Sequence, residues 1–125
     1  MPDTVSLGTG HAATVRRYFG LIDDGDLAGS VALFAPDAVY RRPGHPPFEG
    51  RERIAHFYLE LRTIRSGSHS FDAVLTDGHR TAVHGGFRGT GFDGGPIDLR
   101  FSDFFEFDAD GAITRRDTYF FAPLA

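Results

Sequence analysis

The sequence predicts an α+β domain in which a curved antiparallel β-sheet wraps around three N-terminal helices. Apolar residues recur at helical spacing through the first half of the chain. From Ser66 onward they alternate instead, in runs separated by Asp/Gly turns. Helices followed by a meander of strands is the element order of an α+β layer architecture. With 125 residues and 41% hydrophobic content, the chain can build one core but not two. The expected organisation is therefore a flexible leader over 1–10 and one domain over 11–125.

Met1 to Gly10 is polar and has no period. From His11 to Asp24, Ala12, Val15, Phe19 and Ile22 form a helical stripe, which Asp23-Asp24-Gly25-Asp26 ends. A second helix is expected over Leu27 to Phe34, stopped by Pro36. Ala38 to Arg42 reads as a short strand closed by the stiff loop Pro43-Gly44-His45-Pro46-Pro47. Ile54, Phe57, Tyr58 and Leu61 mark a third helix over Arg51 to Ile64. Strands follow at His69 to Thr76, Arg80 to Gly91, Pro96 to Phe107 and Ala112 to Ala122. The breaks between them contain glycine, which supplies positive φ without steric cost.

On the strand Pro96 to Phe107 one face is Ile97, Leu99, Phe101, Asp103, Phe105 and Phe107, so Asp103 sits alone in an apolar row. A carboxylate in such a place must be paired or hydrogen-bonded. A turn that pairs Phe107 with Ala112 sets Arg116 directly opposite Asp103, Thr118 opposite Phe101 and Phe120 opposite Leu99. An ion pair is expected, with Arg116, Thr118 and Phe120 on the pocket face.

Several function classes are excluded or disfavoured by composition. A net charge of −4, without a basic stripe, argues against nucleic acid as a partner. The absence of cysteine removes disulfides, thiolate catalysis and Cys-ligated zinc, and no His-x-His or His-Glu-x-x-His spacing occurs. No metal and no cofactor is expected. No apolar run approaches the roughly 20 residues of a membrane-spanning helix, so no membrane association is expected and the chain reads as cytoplasmic.

Four stretches resemble the ketosteroid isomerases and their SnoaL-like relatives among polyketide cyclases and dehydratases, of the nuclear transport factor 2-like superfamily. They are Arg17-Tyr18 ahead of Asp23-Asp24-Gly25-Asp26-Leu27, Val31 to Val39, Pro47 to Tyr58, and Phe107 to Ile113. By position the resemblance implies that Tyr18 matches an oxyanion-binding tyrosine, Tyr58 its supporting tyrosine and Asp103 a neutral aspartate that donates to an enolate, the general case described for these isomerases. The family's base, just before Pro43, is replaced by Arg42, so steroid isomerisation by that route is not expected. The epoxide hydrolases of the same fold need an Asp-Arg-Asp set, and one of those carboxylates falls at Thr118. A guanidinium facing Asp103 favours its carboxylate form.

The resulting expectation is a cofactor-independent enzyme for acid/base cyclisation, dehydration or isomerisation of a hydrophobic oxygenated metabolite of polyketide, steroid or terpenoid type. The alternative is a non-catalytic ligand-binding or dimeric association domain. Catalytic roles are expected for Tyr18, Asp103 and, if its face of the strand meets the pocket, His84. Tyr40, Arg42, Tyr58, Arg88, Leu99, Phe101, Arg116, Thr118 and Phe120 are expected to bind substrate. Arg42, Arg88 and Arg116 together suit an anionic ligand. His45, His69 and His79 are assigned nothing. Phe87 and Phe104, expected on the outer face, favour a homodimer.

Overall fold

The computed structural model describes residues 10–121, so residues 1–9 of the expected leader lie outside the described residues. Helix α1 spans Gly10–Asp23 and buries Val15, Phe19 and Ile22 of the expected stripe, together with Tyr18, while Ala12 is only half-buried. Helix α2 is shorter than expected, Leu27–Val31, and is capped where the Asp26 side chain accepts the Gly29 amide at 2.8 Å. Strand β1 then begins at Phe34 and runs to Arg41, with Pro36 inside it. Proline is tolerated here because no pairing with β6 is made between Phe34 and Val39.

A two-residue strand β2 (Phe48–Glu49) pairs with β1 and leads into α3, Arg51–His56. The expected third helix does not continue regularly to Ile64. It widens into a π-helical turn over Phe57–Leu61, closed by the Arg62 amide donating to the Phe57 carbonyl at 2.8 Å. This widening lets the consecutive residues Phe57 and Tyr58 both face the core.

Strands β3 (Ile64–Asp77), β4 (Arg80–Gly91), β5 (Pro96–Phe107) and β6 (Ile113–Phe120) form an antiparallel meander. Its glycine turns behave as expected, with φ of 61° at Gly78, 83° at Gly94 and 86° at Gly111. The sheet order is β2-β1-β6-β5-β4-β3. One correction concerns pairing: β1 runs parallel to β6, so the curved, unclosed sheet is mixed and not antiparallel throughout. The helices cover its concave side, and the core between them is built largely from Phe19, Phe34, Phe57, Phe105 and Phe107 with Tyr18 and Tyr40.

A second correction concerns the hairpin of β5 and β6. Asp103 lies opposite Thr118, and Arg116 lies opposite Phe105. Phe101, not Leu99, faces Phe120. The cause is local. Asp108 Oδ1 accepts the amides of Asp110 and Ala112, so Phe107 pairs with Ile113, and a bulge beside Glu106 adds a second offset. Two one-residue offsets preserve side-chain parity, which keeps Arg116, Thr118 and Phe120 on the inner face.

Candidate functional site

Asp103 and Arg116 are fully or nearly fully buried, as the apolar row around Asp103 requires. Arg116 Nη2 and Nε donate to Asp103 Oδ2 at 2.7 and 3.2 Å. From the same guanidinium, Nη1 donates to the hydroxyls of Tyr18 and Tyr58, each at 2.7 Å. These two hydroxyls also contact one another. The cation is enclosed by rings, with its central carbon 4.7 Å from the Tyr40 centroid and 5.1 Å from that of Tyr18.

Burial works against charge on Arg116, but Asp103, foremost among its polar neighbours, more than offsets this and its pKa lies well above the usual guanidinium value. Burial also pushes the Tyr18 hydroxyl well above the usual phenol range, and that of Tyr58 upward, against the opposing influence of Arg116. The hydroxyls are therefore neutral donors and acceptors at physiological pH.

Above this network lies a cavity of about 200 Å³. Arg116, Tyr58 and Thr118 form part of its wall, with Leu99, Phe101 and Phe120 supplying apolar surface. Arg42 enters from the loop after β1. Its Nη1 donates to the Tyr40 hydroxyl at 2.8 Å, its guanidinium carbon stands 4.9 Å from the Phe57 centroid, and its buried Nε has no partner among the described residues. Thr118 Oγ1 donates to the same Tyr40 hydroxyl at 3.4 Å.

Of the residues expected at the site, the structure thus brings Arg42, Tyr58, Leu99, Phe101, Arg116, Thr118 and Phe120 to one cavity. Tyr18, Asp103 and Tyr40 are fully buried behind it and connect to the cavity through Arg116, Tyr58, Arg42 and Thr118. His84 and Arg88 are placed elsewhere. Both project from the outer face of β4, where His84 Nδ1 contacts Ser102 Oγ at 3.0 Å and Arg88 lies 3.6 Å from Asp98. On that strand burial follows Val83 and Phe87, so Phe87 faces the cavity and not the outer surface, contrary to expectation.

Two ionisable cavity residues escape the sequence reading. Arg62 follows the π-helical turn, and burial lowers its pKa. Its guanidinium nonetheless remains a cation at neutral pH. His69 also lines the cavity, packed against Phe19, Phe87 and Phe101. Neither carries a local motif: each is brought in by chain geometry. Among the described residues, no group of three or more His, Asp or Glu side chains is arranged to hold a metal ion.

A sequence model of the SnoaL-like domain matches residues 15–116. The fold is similar to that of an NTF2-like protein of unknown function from Burkholderia pseudomallei, at 22% identity and a TM-score of 0.78, covering 90% of this chain and 92% of that one. The epoxide hydrolase/cyclase-like enzyme SalBIII, of pyran ring formation in the polyether salinomycin, is similar at 19% identity and a TM-score of 0.78, with 89% and 90% of the two chains covered. An LEH-like epoxide hydrolase of Mycobacterium tuberculosis is similar at 19% identity and a TM-score of 0.77, with 89% and 82% covered.

Proposed function

Because this chain belongs to the SnoaL-like family, we propose that it is a cofactor-independent enzyme for acid/base cyclisation, dehydration or isomerisation of a small, hydrophobic, oxygenated metabolite whose reacting end carries or develops negative charge. The observation that carries this reading is the concentration of positive charge in an apolar hollow. Arg42, Arg62 and Arg116 line one cavity, and of these three only Arg116 has a carboxylate partner among the described residues. Cations held in a site partly closed to water stabilise an enolate, phenolate or carboxylate far more than they do in bulk solvent. Tyr58 is the hydroxyl at the wall that can contact the substrate oxygen, while Asp103 and Tyr18 hold Arg116 in place.

The names of two similar proteins, an epoxide hydrolase/cyclase-like enzyme and an epoxide hydrolase, support turnover in a related pocket. Epoxide opening by an Asp-Arg-Asp set is not the reading favoured here, because Thr118 stands where the second carboxylate is needed. A ligand-binding domain without turnover is the second reading. It is favoured by Arg42 at the family's base position and by Asp103 Oδ2 being engaged by Arg116. We also propose a homodimer through the outer sheet face, where Phe104 and Tyr119 pack edge to face and are each more than half exposed.

Thermal-shift measurements with polyketide, steroid and terpenoid acids, each beside its methyl ester, test the charge requirement. Binding at a hundred times Kd stabilises by about 2.7 kcal/mol. The acids are expected to raise Tm and the esters to do so weakly, with Arg42→Gln and Arg62→Gln abolishing the difference. Equal responses to acids and esters in the unmodified protein would sink the proposal.

A further inference from the structure

The cationic cavity lacks an evident proton acceptor, since Asp103 is buried behind it and His84 is on the other face of the sheet. One titratable pair at the cavity is unused. His69 Nδ1 lies 2.6 Å from Asp23 Oδ1, and the backbone amide of His69 donates to Asp23 Oδ2 at 2.9 Å. Asp23, at the C-terminal end of α1, thus grips both the ring and the main chain of one residue on β3. Nδ1–H donates to the carboxylate, which leaves the lone pair of the neutral ring on Nε2.

That Nε2 makes no hydrogen bond among the described residues, yet it is not one of their fully buried unpartnered atoms. The side chain is only 10% exposed and lines the cavity, so its accessible edge opens there. Phe19, Phe87 and Phe101 hold the ring at centroid distances of 4.6, 4.7 and 5.5 Å. We propose that His69 is the general base of this cavity, with Asp23 as the residue that positions it. This rests on the acid/base reading above and names the group that performs it.

The step balances without any co-reactant. Nε2 takes a proton from the carbon next to a substrate carbonyl, and the C–H electron pair forms the C=C bond of an enolate. The charge on oxygen is held by the arginines, and the imidazolium by Asp23. Where the substrate carries a β,γ double bond, the enolate is a dienolate, and return of the same proton to its γ-carbon shifts the double bond into conjugation, restores the carbonyl and completes an isomerisation. The charged and titratable groups facing His69 are Asp23 from α1, Arg42 from the loop after β1, Tyr58 and Arg62 from the turn after α3, and Arg116 from β6. Proton transfer by a positioned side chain contributes about 10²–10⁴-fold.

The test uses 5-nitrobenzisoxazole, whose base-promoted ring opening transfers one carbon-bound proton, breaks the N–O bond and releases a coloured phenolate. The whole protein is expected to open it faster than buffer, with His69→Gln lowering kcat at least about 100-fold and Asp23→Asn lowering kcat with little change in KM. Long-range proton–nitrogen NMR of the unmodified protein is expected to show the neutral His69 protonated on Nδ1, and Asp23→Ala to mix the tautomers. Folding of each variant is checked by its NMR spectrum, and conservative His69→Asn provides a second variant if His69→Gln does not fold. Turnover retained by a folded His69 variant, no turnover above buffer in the unmodified protein, or Nε2 protonation overturns the assignment. Benzoate binding followed by NMR separates the two readings: a bound benzoate with no His69-dependent turnover removes the base alone, and no benzoate binding removes the anion cavity.

Discussion

Arg116 reaches Asp103 on a diagonal, from the position opposite Phe105, and this frees its Nη1 to point at Tyr18 and Tyr58. One guanidinium therefore joins the sheet, α1 and the turn after α3, while presenting an edge to the cavity. Asp103 Oδ1 is buried with no partner among the described residues, so the pair is not fully compensated. The desolvation cost of a buried ion pair offsets much of its attraction, so this pair contributes more to fixing the Arg116 geometry than to net stability.

Breaking that pair has a defined cost. Asp103→Leu leaves Arg116 buried without its anion, and a loss of about 3–5 kcal/mol is expected. The double variant Asp103→Leu/Arg116→Met replaces both charges and is expected to recover most of this stability while losing acid binding. Urea unfolding midpoints at constant m-value check both. A double variant no more stable than Asp103→Leu contradicts this account.

The tyrosines predict a response at alkaline pH. Burial raises the Tyr18 and Tyr58 pKa values above the ordinary value of 10.0. Above that pH the unfolded chain loses phenolic protons that the folded chain retains, so unfolding is favoured as pH rises. The stability these groups contribute is complete below pH 10 and is lost as pH rises through their folded values. Tm is expected to fall less steeply in this range for Tyr18→Phe than for the unmodified protein. An identical slope in both proteins contradicts the prediction.

On the outer face, Phe104→Arg and Tyr119→Arg test the homodimer. Sedimentation of the unmodified protein is expected to give a dimer at micromolar concentration, and each substitution a monomer with an unchanged circular dichroism spectrum. A clean monomer of the unmodified protein removes this interface.

The parity of β5 was readable because alternation along one strand is a local property: Asp103 falls among Phe101, Phe105 and Phe107 whatever lies beside it. The register was not. It depends on Asp108 accepting two amides in the turn and on the bulge at Glu106, which leave no periodic mark. On β4, the adjacent Gly85 and Gly86 interrupt the alternation between Val83 and Phe87, and this blurred which face His84 occupies. Arg62 depends on the extra width of a π-helical turn. The pairing of His69 with Asp23 spans 46 residues and forms only when α1 packs against β3. Arg42 was legible only through the family resemblance, which places a site residue just before Pro43.

Gly85 and Gly86 give a paired prediction with different outcomes. A Cβ at Gly85 would lie 2.0 Å from the Ser70 carbonyl oxygen and 3.2 Å from Phe71 Cα, both backbone atoms of β3. At Gly86 the nearest atoms are Arg100 Nη1 at 3.2 Å and Ser70 Oγ at 3.3 Å, which are ends of mobile side chains. Gly85→Ala must push β3 away from β4 beside the irregularity between Phe71 and Ala73, and because β3 carries His69 it also disturbs the cavity wall. A loss of about 1–3 kcal/mol is expected for Gly85→Ala, the usual cost of overpacking. Gly86→Ala is expected to be neutral or slightly stabilising, because it restricts the unfolded chain and meets backbone only at an ordinary contact distance, 3.6 Å from the Leu99 carbonyl oxygen. Urea midpoints of the two variants decide the matter: a Gly85→Ala protein as stable as Gly86→Ala means that the close approach of β3 to β4 does not constrain this part of the sheet.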